Sequence, residues 1–269
     1  MILLLCGITG VSSCPSVTEE PFLIMKTVAA IHTAMPMVEP TTRLFSKHLP
    51  GVRLIHIVDT SLIEDVIRNG GVEDAVNQRL RQYYDSALLA GADLIFNTCS
   101  SVGDVAIDVR RSLDIPLVKI DDAMAERAVR IANDIGVLAT ISTTLEPTVR
   151  LLKHFASRLG KDVLLHEGLA EGAFEASMQG QQDRHDGLIL EAAAALADRV
   201  ELFVLAQGSM ARMEKELEVR TGKKVLSSPE SGVLMVKEIL EKTPSRQVDF
   251  DGTIHKEPKS TSYRRGITG

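Results

Sequence analysis

The chain has 269 residues, a net charge of −6 and a pI near 5.7, with 45% hydrophobic and 25% charged residues. These proportions exclude collagen, coiled coil and wholesale disorder, and the length allows one large domain or two small ones around a core that needs no staples. With no Trp, 4% aromatics and no basic patch, the chain lacks the cationic footprint and stacking rings of a nucleic-acid binder.

The N-terminus comes first. Met1–Ser13 is apolar, and Val11-Ser12-Ser13-Cys14 loosely resembles a lipoprotein cleavage box. No Lys or Arg precedes Lys26, so the charged region of a signal peptide is missing, and the run is too short to span a bilayer. Residues 1–25 read as an extension. Cys6, Cys14 and Cys99 form neither a disulfide framework nor a zinc pattern. A reducing compartment follows, and with it a cytoplasmic location without membrane association.

Strands and helices then alternate. Thr27–Thr33 and Val52–Val58 read as strands flanking a helix over Pro36–Leu49. A long helix over Val72–Ala90 ends at Gly91, a C-terminal signal. Ala92–Phe96 is a buried strand, Val102–Leu113 a helix, Pro116–Ile120 a strand and Asp121–Asn133 a helix with acids in its first turn. The series resumes with strands at Gly136–Thr140, Val163–His166, Glu201–Leu205 and Lys224–Leu226. These alternate with helices at Thr144–Leu159, Arg184–Ala197, Ser209–Thr221 and Pro229–Glu241. Such alternation argues α/β architecture with mainly parallel sheets covered by helices. Residues 243–269, rich in Lys, Arg, Ser, Thr and Pro, read as a tail.

The second series repeats the first. Ile31-His32-Thr33 to Glu39-Pro40-Thr41 aligns with Leu138-Ala139-Thr140 to Glu146-Pro147-Thr148 at an offset of 107, and Ala92–Ser100 aligns with Glu201–Ser209 at 109. Matching offsets in matching context point to duplication. They predict two pseudo-symmetric lobes, residues 26–133 and 134–242, around a cleft. The sheets should change over near Ala132–Gly136, and the C-terminal segment is open to returning to the first lobe.

In open parallel sheets ligands bind beyond the carboxyl ends of the strands. Thr33 and Thr140 follow the first strands, while Asn97-Thr98-Cys99-Ser100-Ser101 and Gln207-Gly208-Ser209 follow central ones. With Thr143 and Thr144, these hydroxyls and the free N–H groups of helix starts suit an anionic oxygen. Helix capping by Ser100, Ser101, Ser209 and Thr144 is a compatible role. Cys99 stands out as a lone thiol in a polar turn before a helix, where the partial positive charge favours thiolate.

The Asn97–Ser101 loop, Ala139-Thr140 with Thr143-Thr144, and Leu205–Met210 together resemble the aspartate/glutamate/hydantoin racemase superfamily, with its maleate isomerases and arylmalonate decarboxylases, from about Lys26 to Lys242. The resemblance implies two lobes with the site between them, no cofactor and no metal, and a small carboxylate substrate. Two-base racemases of this kind place one cysteine from each lobe on opposite faces of a carbon acid, with the carboxylate held by Thr, Ser and backbone donors. Here the first is Cys99, and the alignment puts the second on Gly208, which cannot transfer a proton but leaves space for a substrate group or water. Arylmalonate decarboxylases also use one cysteine, from the other lobe. His32, His56 and His166 are candidates for a base on the far face, although His32 points away from Thr33 in a strand.

The function expected is therefore carbon-acid chemistry on a small carboxylate, an amino acid or related acid, by a single-cysteine isomerase. Cys99 is its catalytic residue. Thr33, Asn97, Thr98, Ser100, Ser101, Thr140, Thr143, Thr144, Gly208 and Ser209 would bind substrate. Racemisation, cis–trans isomerisation and decarboxylation all fit. A non-catalytic carboxylate-binding protein and a cysteine hydrolase are the alternatives, and a homo-oligomer is open.

Overall fold

The computed structural model describes residues 25–243 and the short strand pair 247–248 and 254–255. The rest of the expected extension and tail lies outside the described residues.

The first sheet has four parallel strands: β1 (Thr27–His32), β2 (Arg53–Val58), β3 (Leu94–Asn97) and β4 (Leu117–Lys119), in the order β2-β1-β3-β4. Every residue of β1 and β3 is buried, as continuous apolar runs in a parallel sheet require. The helices between them are α1 (Val38–His48), α2 (Ser61–Asn69), α3 (Asp74–Leu89) and α4 (Gly103–Arg110). Gly91 takes the left-handed backbone expected of a helix terminator, with φ of 79°. After β4 comes α5 (Asp122–Ile131).

The second sheet repeats the plan. Strands β5 (Asp134–Ala139), β6 (Leu164–Leu169), β7 (Leu202–Leu205) and β8 (Lys224–Leu226) are parallel in the order β6-β5-β7-β8. Their helices are α6 (Ser142–Leu159), α7 (Ala173–Met178), α8 (Gln182–Ala194), α9 (Glu214–Thr221) and α10 (Ser228–Lys242). Two helices, α2 and α7, are absent from the sequence reading. α7 has only six residues, too short for periodicity to tell, whereas α2 does carry the signal, Leu62 with Val66 and Ile63 with Ile67 at i, i+4, within nine residues. The expected helices at Val102 and Ser209 begin instead as 3₁₀ turns, Ser100–Val102 and Gly208–Met213, so α4 and α9 start later.

A boundary drawn by chain order does not describe the packing of the last helix of each half. On α5, Met124, Ala125, Ala128 and Val129 join the core of the second sheet, with Ile135, Val137 and Val204. On α10, Val233, Val236 and Leu240 join the core of the first sheet, with Val28, Ala30 and Phe96. The two helices also pack on each other. The return of the chain to the first lobe is thus made by α10, whose expected place was the second lobe, because its apolar stripe matches the open face beside α1.

The fit of α10 is close. A Cβ on Gly232 would stand 2.5 Å from the Ile120 carbonyl oxygen and 3.1 Å from its Cα. Main chain cannot move aside as a side chain can, so Gly232→Ala should destabilise the fold by ~1–3 kcal/mol, the usual cost of overpacking. Gly187, inside α8, has open space around it. Gly187→Ala should stabilise by about 0.5–1 kcal/mol through helix propensity. Urea unfolding of the two variants would check both signs.

Candidate functional site

The carboxyl ends of both sheets carry their polar turns toward the other lobe. Ser101 Oγ lies 2.8 Å from Thr144 Oγ1, joining the turn after β3 to the start of α6. In the matching place, Met37 precedes α1 and covers Gly208 after β7; a Cβ on Gly208 would meet Met37 Cε at 2.8 Å. The space expected over Gly208 is therefore filled by a thioether.

Cys99 sits two residues past β3 and is partly buried. Burial pushes its thiol above the ordinary range. Hydrogen bonds from the Thr33 hydroxyl, from the backbone N–H groups of Ser101 and Val102, and from the Ser101 hydroxyl favour thiolate but do not outweigh it. Asn97 braces the loop from below. Its Nδ2 donates to the Cys99 carbonyl at 2.9 Å, and its Oδ1 accepts from Tyr84 Oη at 3.2 Å. Ser100 is buried within the turn. Below the loop lies a buried Lys119, its Nζ 3.6 Å from Asp121 Oδ1.

Other expected residues go elsewhere. Thr98 faces the opposite side of the sheet from Cys99, as strand alternation demands. Its Oγ1 donates to the Ile31 carbonyl at 2.9 Å and lies 2.9 Å from His32 Nδ1. His32 Nε2 in turn lies 2.9 Å from His56 Nδ1. Burial, reinforced by His56, lowers the His32 pKa to about 4, so it is neutral near pH 7 and committed to this chain of contacts. His166 pairs with Asp134 at 3.0 Å, at the amino end of β5, the far end from the turns. None of Ser100, Ser101, Ser209 or Thr144 makes a side-chain cap; Cys99, Val102, Gln207 and Ile141 stand at the helix starts.

The strand register corrects the position opposite Cys99. Ile31 pairs with Asn97 in the first lobe and Leu138 with Leu205 in the second. The next backbone bond is also shared: the Thr98 N–H donates to Ile31 O at 3.1 Å, and the Ala206 N–H to Leu138 O at 2.9 Å. Cys99 therefore corresponds to Gln207, and Ser100 to Gly208. The sequence alignment slipped by one residue, which puts side chains on the wrong face of a strand. Cys99 and Gln207 share their backbone as well, with φ, ψ of −123°, 119° and −112°, 133°, each before a 3₁₀ turn. Each meets the corresponding threonine, Cys99 meeting Thr33 and Gln207 meeting Thr140.

The expected residues do not share one cavity. A cavity of about 760 Å³ is lined by Met37, Gly208, Ser209, Arg43, Arg212 and His185, among others. A second, of about 300 Å³, is lined by Ser101 and Thr143. Cys99 lines neither of these two. His185 had no sequence signal, being a lone histidine in a helix. It is buried, and Arg212 reaches both its ring and Asp186, holding the Asp186 carboxyl well below the usual range.

Two sheets of the same order, with matched threonines beyond their first strands and matched polar turns beyond their third, define a pseudo-symmetric pair around a shared junction. The model of the Asp/Glu/Hydantoin racemase family matches residues 29–236. The chain belongs to that family. No protein of curated function matches it by sequence. Among solved structures, it is similar to glutamate racemase isoform RacE1 from Bacillus anthracis, with 13% identity over 81% of this chain and 82% of that one and a TM-score of 0.68. Allantoin racemase from Klebsiella pneumoniae gives 14% identity over 81% and 88%, with a TM-score of 0.59. A Gly74Cys mutant of arylmalonate decarboxylase gives 17% over 82% and 96%, with a TM-score of 0.52. At these identities the likeness is one of fold. No helix among the described residues is long and apolar enough to cross a membrane.

The raised thiol pKa has a direct consequence. Alkylation needs thiolate, and a raised pKa delays thiolate to higher pH. Iodoacetamide should therefore modify Cys99 more slowly than a free cysteine at pH 8, with a rate midpoint above the ordinary value. Thr33→Val removes a hydrogen bond to the thiolate and should move the midpoint further up. Peptide-resolved mass spectrometry against pH would show it; a midpoint at or below the free-thiol value would contradict the environment described.

Proposed function

We propose that this protein is a cofactor-independent isomerase-type enzyme that performs carbon-acid chemistry on a small carboxylate with one thiol, Cys99. The observation that carries the reading is the surroundings of Cys99 in a racemase-family fold. The thiol stands at a strand end, with a hydroxyl from Thr33, two backbone N–H groups and the Ser101 hydroxyl directed at its sulfur. Such a group gives or takes a proton at carbon while nearby donors hold the developing enediolate oxygens, usually the largest catalytic contribution. Thr33, Ser101 and Thr144 from the two lobes, with Thr140 and the N–H groups of the two turns, are the residues proposed to bind the carboxylate. Asn97 is a positioning residue, holding the Cys99 carbonyl. The substrate comes from the chemical range suggested by the family and its neighbours: acidic amino acids, hydantoins, allantoin or arylmalonates. Decarboxylation is a second reading, favoured by Gln207 where a second proton-transfer group would stand.

Deuterium oxide incubation with both enantiomers of glutamate, aspartate, a 5-substituted hydantoin and allantoin, and with an arylmalonate, tests this. Proton NMR should show loss of the α-hydrogen signal or of carbon dioxide for one of these classes. Cys99→Ala should lower that rate by about 10³-fold or more, and Cys99→Ser by ~10²-fold or more, in line with loss of general acid–base catalysis. Turnover that survives Cys99→Ala would refute the assignment. Tight binding without turnover of any substrate would favour a carboxylate-binding protein.

A further inference from the structure

Resting on the reading of Cys99 above, we infer that Gln207 forms the second-lobe wall of the site as a fixed amide donor to a substrate carboxylate, so that protons are handled on the Cys99 face alone. Gln207 holds the place of Cys99 in its lobe, by strand register, by backbone angles and by its threonine partner. Its amide has one orientation. Oε1 accepts the Thr140 backbone N–H at 2.7 Å, and a backbone N–H can only donate. Nε2 then donates to Thr140 Oγ1 at 2.8 Å, leaving its second hydrogen without a partner among the described residues. That hydrogen is suited to an anionic oxygen.

The chemistry follows from the pair. Cys99, having given its thiol proton to water, takes a proton from carbon as thiolate: the C–H bond breaks, an S–H bond forms, and the electron pair moves into the carboxylate as an enediolate. Return reverses these changes on the same face. In a decarboxylation the C–CO₂ bond breaks, its electron pair stays on carbon, and the Cys99 thiol supplies the proton that replaces it; water then reprotonates the thiolate. A carboxamide does not release a proton near pH 7, so Gln207 can hold the opposite side but cannot complete an inversion, which leaves hydrogen exchange with retention, cis–trans isomerisation and decarboxylation as the reactions open to the pair. The product therefore carries one configuration at the reacting carbon.

The test uses the full chain with Cys6→Ser and Cys14→Ser, comparing Gln207→Cys with Gly208→Cys. The probe is 1,3-dibromoacetone, a short reagent that alkylates two thiols. Gln207→Cys should give an intramolecular bridge between positions 99 and 207, seen by peptide mass spectrometry. Gly208→Cys, which folds by displacing the flexible end of Met37, should be alkylated singly. A bridge from position 208 alone, or separate alkylation of both thiols in Gln207→Cys, overturns the placement. Gln207→Glu keeps the acceptor for Thr140 and replaces the donor by a carboxylate oxygen. At unchanged melting temperature it should raise KM at least about tenfold, the worth of one hydrogen bond to a charged group; an unchanged KM overturns the donor role. On the substrate that turns over, wild type should yield one configuration and Gln207→Cys should add the inverted one; wild-type product of both configurations overturns single-face chemistry. Turnover surviving Cys99→Ala would sink the functional reading whatever the bridge shows. A missing bridge with inactive Cys99→Ala would sink only the assignment of Gln207.

Discussion

The exchange of α5 and α10 is the constraint on which the rest depends. Each helix follows the last strand of one sheet and buries its apolar stripe against the other, and the two pack on each other where the chain changes lobes. Burial at ~25 cal/mol per Å² drives both contacts, so neither lobe can complete its core alone. The polar turns after β3 and β7 are thereby brought against the helix starts of the opposite lobe, as Ser101–Thr144 and Met37–Gly208. A tight backbone approach, Gly232 on the Ile120 carbonyl, sets the depth of α10 just before the buried Asp121.

Within that frame the two halves have diverged chemically while keeping their geometry. The first lobe places a thiol beside a threonine hydroxyl; the second places a carboxamide beside a threonine hydroxyl and its backbone N–H. The first-lobe turn meets a hydroxyl across the junction, and the second-lobe turn meets a thioether. A junction symmetric in backbone is thus asymmetric in its side-chain chemistry. The thiol is ionisable and tuned by burial against hydrogen bonds. The amide is not ionisable and is held in one orientation by Thr140.

The buried histidines show how position in the sheet separates structure from chemistry. His32 and Thr98 lie close to Cys99 in sequence or in the sheet, yet their side chains face α1, and the His32–His56 chain satisfies them there. Proximity along a strand carries half the information; the pleat supplies the rest.

Much of the architecture was legible in the sequence because it is local. Apolar runs such as Val28–Ile31 and Leu94–Phe96, bounded by turn signals and alternating with helical patterns, suit buried parallel strands, Gly91 ends a helix without strain, and polar residues directly after strands mark the ligand-binding end of a sheet. Thr33 and Ser101 beside Cys99, and Thr144 across from Ser101, were reached in that way. What remained depended on pairing between distant segments. Ala92–Ser100 and Glu201–Ser209 match at an offset of 109 by composition, and only the hydrogen bonds to β1 and β5 show that the register is one residue shorter and selects Gln207 over Gly208. The sheet on which α5 and α10 pack is likewise set by which apolar face stands open, not by their order in the chain. Sequence by itself determined the alternation of strands and helices and the repeat of the first half in the second. Tertiary structure decided the register and the helix exchange, because both are energies of contacts between residues far apart, which no local pattern contains.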